Sequence, residues 1–142
     1  MNPRGKGASL LYWIPTTLVG LVMLSGGVFD AIQTESALEV FSKLGYPAYF
    51  STILGVAKVL GTVALFAPVP RTVREWAYAG FTFDVLAAIA SILAVGNPVT
   101  SIGIPVFCLL MLQTSYVMWR LRLRGASEPV SAPAPVVTRA FA

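Results

Sequence analysis

The sequence contains no histidine, a single cysteine and few charged residues, and each shortage closes off a class of function. Without histidine the commonest ligand for zinc, copper, haem and non-haem iron is missing. A metal or haem enzyme built on this chain alone is therefore not expected, and no cofactor is assigned. Cys108 has no second cysteine to pair with, which excludes an intrachain disulfide and a dithiol redox couple. No neighbour of Cys108 would lower its pKa, so it reads as a small apolar packing residue. Phosphate-cradling glycine loops, nucleophile motifs and metal-ligand spacings are also missing, so no residue is assigned a catalytic role.

The shortage of charge is the most informative. Charged residues make up 11% of the 142 residues and hydrophobic ones 56%. A soluble domain carries roughly 25% charged residues. A soluble core of this size could not hide so much apolar surface, whereas lipid makes the composition sensible. Four apolar stretches, Leu10–Ile32, Tyr49–Ala67, Trp76–Val95 and Thr100–Leu121, are long enough to cross a hydrocarbon core of roughly 30 Å. Backbone groups in lipid must be satisfied within their own segment, so each stretch is predicted to be a helix. The fold class that follows is all-α, an integral membrane four-helix bundle with antiparallel neighbouring helices. Residues 1–9 form an N-terminal segment, 10–124 the membrane domain and 125–142 a tail. That tail is rich in proline, alanine, serine and valine, and is predicted to be disordered.

Basic residues set the expected direction. Arg4 and Lys6 precede the first span, Arg71 and Arg74 lie between the second and third, and Arg120, Arg122 and Arg124 follow the fourth. The opposite side has only Lys43, in a loop that also holds Glu35 and Glu39. The positive-inside rule puts both termini in the cytoplasm of a cell-membrane protein. Topology also explains the net charge of +4, so no nucleic-acid partner is expected. Tyr12, Trp13, Trp76, Tyr78 and Trp119 fall near the same predicted boundary, as an aromatic belt would. In the first external loop Ala37, Leu38, Phe41 and Leu44 recur at helical spacing, which predicts a short amphipathic helix ended by Gly45 and Pro47. Pro105 is expected to bend or start the last helix.

Charges inside a span cost ~2.5–3.5 kcal/mol at the centre and mark function or internal pairing. Lys58 and Asp84 stand near the middle of the second and third spans. Ser51, Gly55 and Thr62 share a face with Lys58, while Ala77, Gly80, Ala88 and Ser91 share one with Asp84. Small residues mark packing surfaces in lipid, so both charges should point into the bundle. Two roles remain open for the pair: an ion pair that fixes helix register, or a polar centre for ligand binding or proton movement. Asp30, Ser91, Gln113 and Tyr116 are secondary polar candidates, with Asp30 close enough to the outer end to reach interfacial water.

The segments Leu44–Leu65, "LGYPAYFSTILGVAKVLGTVAL", and Arg74–Ser91, "REWAYAGFTFDVLAAIAS", resemble the DoxX-like family of four-helix membrane proteins. The resemblance rests on Gly45, Tyr46, Pro47, Gly55, Lys58, Gly61, Glu75, Trp76, Ala77, Gly80 and Asp84. Relatives often carry a histidine after the serine late in helix three, where this chain has Ile92 after Ser91. A proton relay resting on that histidine therefore does not transfer. The family name derives from a subunit of a thiosulfate–quinone oxidoreductase, and other relatives look like assembly factors. Three functions follow as expectations. The first is a non-catalytic binding or accessory protein, holding a small lipophilic ligand or a partner around Lys58 and Asp84. The second is a quinone-facing subunit of an oxidoreductase complex, with Lys58 as donor to a quinone oxygen. The third is a proton-coupled small transporter working as a homo-oligomer.

Overall fold

A computed structural model of the chain describes residues 3–126. Most of the tail expected at 125–142 lies outside the described residues, as do the side chains of Arg4 and Lys6. The elements are α1 (Pro3–Ala31), α2 (Glu35–Lys43), α3 (Ala48–Phe66), α4 (Arg71–Ala94), a 3-10 turn (Val99–Ile102) and α5 (Gly103–Ala126). No strand occurs among the described residues. Ser9–Ala31, Ala48–Phe66, Arg71–Ala94 and Val99–Arg124 are each long and apolar enough to cross a membrane.

Helix ends follow local chemistry more closely than hydropathy does. α4 begins at Arg71, more than a turn ahead of the expected Trp76, because Pro70 supplies an extended N-cap and the new turn is tied by an Arg71–Glu75 contact of 3.2 Å. Hydropathy cannot see a charged first turn. Pro105 lies in the first turn of α5, where a missing N–H breaks no helical bond, so it starts that helix without bending it. The short amphipathic helix is present as α2. Thr34 caps it through a hydrogen bond from the Ala37 N–H, and Glu35 and Lys43 lie at the ends that suit their charges. Ala37 and Phe41 are buried, while Glu39 and Lys43 face outward and pair at 2.6 Å. That hydrogen bond holds the Glu39 carboxyl below its usual range. Gly45 ends the segment at φ 80, a left-handed conformation that favours glycine.

The four long helices form a closed square. α1 packs on α3 and α5, and α4 packs on the same two, while the backbones of neither diagonal pair come within 8 Å, Cα to Cα, among the described residues. The α1–α3 seam is the tightest. A Cβ placed on Gly55 would collide with the backbone of Ala31 and lie 2.6 Å from the Gly27 carbonyl oxygen. In the half nearer the chain ends, a polar knot ties three helices together: Ser115 of α5 meets Thr16 of α1 at 2.6 Å and the Tyr78 hydroxyl of α4 at 2.8 Å. Tyr12, Tyr78 and Trp119 are buried in the surrounding core. Only Trp13 and Trp76 of the expected aromatic belt project outward. The outer faces carry exposed Leu10, Leu21, Leu60, Phe83 and Ile104, an apolar surface that water would not tolerate and lipid would.

Candidate functional site

Lys58 sits midway along α3 and bridges two carboxylates. Its Nζ lies 2.9 Å from Asp30 Oδ2 on α1 and 3.6 Å from Asp84 Oδ2 on α4. All three side chains are at least four-fifths buried. The closer partner is therefore Asp30, which was expected to reach interfacial water. The reason is the lean of helical side chains toward their own N-terminus. α1 and α3 run in opposite directions, so Asp30 leans inward along the bundle and Lys58 leans toward it. Asp84 leans away from Lys58, toward the start of α4, and stands beyond hydrogen-bonding distance. The close seam at Gly27 and Gly55 brings α1 near enough for this contact, since Gly27 lies directly against Lys58 Cβ.

The three charges form the floor of a cavity of about 430 Å³. α3 and α4 make its two sides through Phe50, Leu54, Gly80 and Phe83, and α2 roofs it with Val40 and Phe41, joined by Leu44 just beyond its end. Phe41, Tyr46 and Phe50 form a ring cluster at the roof, with the Tyr46 and Phe50 rings stacked at 4.9 Å. The Tyr46 hydroxyl meets Ser91 Oγ at 2.7 Å, fastening the loop after α2 to α4. Gly80 and Ala88, expected to be packing residues, line the open space instead. A Cβ on Gly80 would meet nothing within 4 Å. A smaller cavity of about 150 Å³ continues along the α3–α4 groove and shares Leu54, Lys58, Gly80 and Asp84 with the first.

Of the secondary candidates, Asp30 and Ser91 join Lys58 and Asp84 in this cavity. Gln113 and Tyr116 do not. They line a separate groove between α4 and α5, where Gln113 donates to Thr82 Oγ1 at 3.0 Å and Tyr116 packs edge-on to Tyr78. Sequence reasoning missed the aromatic wall. The signal was present in the spacing, because Phe50 and Leu54 lie eight and four residues before Lys58 on one helical face. No group of three or more histidine, cysteine, aspartate or glutamate side chains able to hold a metal ion occurs among the described residues.

Four apolar helices around a buried charged floor, with apolar side chains on the outside, define a multi-pass membrane protein. The chain belongs to the DoxX-like family, whose model matches residues 14–115. That match runs from α1 to about the middle of α5 and includes all three charged residues of the floor. No curated protein and no solved structure matches the chain.

Proposed function

We propose that this protein is a non-catalytic binding or accessory protein of the cell membrane, with both termini cytoplasmic, and that it holds a small amphiphilic molecule between α2, α3 and α4. The observation that carries the reading is the pairing of an apolar, aromatic-walled cavity with a charged floor. A volume of about 430 Å³ falls within the range of small-molecule sites, roughly 300–1,000 Å³. The polar head of the ligand would face Lys58 and Asp84, and its apolar body would lie against Phe41, Phe50, Leu54 and Phe83. Intramembrane charges facing a cavity are a functional site by default, which supports a binding role beside the register-fixing one.

A quinone-facing role would ask Lys58 to donate to a quinone oxygen. Its ammonium has three donor hydrogens and faces two carboxylates, so one hydrogen stays available to such an acceptor. Native mass spectrometry of the full chain, purified in mild non-ionic detergent, tests the proposal. A discrete small-molecule adduct at one per chain is expected. A spectrum showing only bare chain, across several detergents and membrane extracts, would contradict it.

A further inference from the structure

Building on the binding reading, we infer that the cavity between α2, α3 and α4 takes an amphiphile with a monovalent cationic head, a lipophilic amine or quaternary ammonium, with Asp84 as its counter-ion. The charge count leads to this. One ammonium faces two carboxylates on the cavity floor, so at formal charge the floor has one negative charge in excess. The geometry says which carboxylate is left over. Asp30 takes the Lys58 hydrogen bond at 2.9 Å, whereas Asp84 stands off at 3.6 Å as the looser ion-pair partner. Asp84 also borders both cavities of the α3–α4 groove.

An excess charge in a low-dielectric setting is costly until a proton or a counter-cation neutralises it. A cationic head restores neutrality, and an anionic head would double the excess. The walls agree with the floor. Phe41, Tyr46, Phe50 and Phe83 surround the same space, and aromatic faces attract ammonium groups through their ring quadrupoles.

Three probes with the same eight-carbon tail separate the possibilities: octyltrimethylammonium, octanol and octanoate. Each is titrated against the full chain in non-ionic detergent and read by native mass spectrometry as a saturable one-per-chain adduct. The cation is expected to bind at least about tenfold more tightly than octanol, the scale of a charge-assisted contact, with octanoate weakest. In Asp84→Asn the cation and octanol should converge, and in Gly80→Leu all binding should be lost. Should Asp84→Asn fail to fold, the order of the three probes on the unaltered chain decides the matter. Octanol binding as tightly as the cation, or octanoate binding tightest, would overturn the cationic assignment and leave the cavity reading intact. No saturable binding by any probe would overturn both.

Discussion

At the scale of single residues, the account turns on three side chains with unequal roles. Lys58 is shared, Asp30 holds it by a hydrogen bond, and Asp84 is the looser partner. Removing Lys58 leaves two carboxylates facing each other without a cation, so Lys58→Met should be the most damaging single change, on the order of 3 kcal/mol. Asp30→Asn should cost more stability than Asp84→Asn, because it removes the shorter contact. Lys58→Met combined with Asp84→Leu would still strand Asp30, and so should not recover stability. Lys58→Met combined with Asp30→Leu should recover part of it. Thermal unfolding of the five variants in detergent, followed by intrinsic fluorescence, checks this order. Equal losses for the two aspartate variants would contradict it. The mid-membrane charges and the Lys58–Asp84 pair were legible in the sequence, but the closer partner, Asp30, was not. Counting residues from a span's start gives the depth of a Cα, whereas a lysine stem carries its ammonium several ångströms away from that depth.

At the scale of elements, glycine plays two opposite parts that sequence alone cannot separate. Gly55 permits the α1–α3 seam, and an added methyl group there would run into backbone that cannot move aside. Gly80 looks the same in the sequence but faces empty space. Gly55→Ala should therefore destabilise the fold by about 1–3 kcal/mol or more, while Gly80→Ala should leave thermal stability nearly unchanged. A tolerated Gly55→Ala would mean the seam is looser than described. Helix existence was legible because each span exceeds the length that lipid demands, and α2 was legible from its apolar spacing. Helix starts were less so, since Pro70 and the Arg71–Glu75 pair act on the backbone without changing hydropathy. That α2 roofs a cavity was not legible either. An apolar face announces that something is covered without saying what lies beneath.

At the scale of the whole molecule, the two halves of the bundle are built differently. The half nearer the chain ends is knotted by Ser115, Thr16 and Tyr78, with a groove on its α4–α5 face. Near it the Glu75 carboxylate takes Arg120 at 2.6 Å, joining α4 to α5. The other half is left open beneath α2. A rigid half that carries an open one is the arrangement a binding protein needs, because the site must be held in shape while it exchanges its ligand. Ser115→Ala would take one partner from the buried Tyr78 and Thr16 hydroxyls, of which Thr16 keeps its bond to the Tyr12 carbonyl, and should cost about 1 kcal/mol. Ligand binding in the other half should survive that change under conditions where the variant stays folded. Orientation is tested separately: reporter fusions after Arg124 and within Arg71–Arg74 should read as cytoplasmic, and fusions at Lys43 as outside. A fusion after Arg124 that reads as outside would reverse the proposed topology.

The central claim, that the space under α2 is a binding site, is tested most directly by filling it. Gly80 and Gly26 are equally roomy, since a Cβ on either meets nothing within 4 Å, but Gly80 borders the cavity and Gly26 does not. Native mass spectrometry of Gly80→Leu and Gly26→Leu, purified in parallel with the unaltered chain, compares the two. Loss of the bound small molecule from Gly80→Leu, with full occupancy in Gly26→Leu, is the expected result. Equal occupancy in both variants would place the ligand elsewhere and contradict the account.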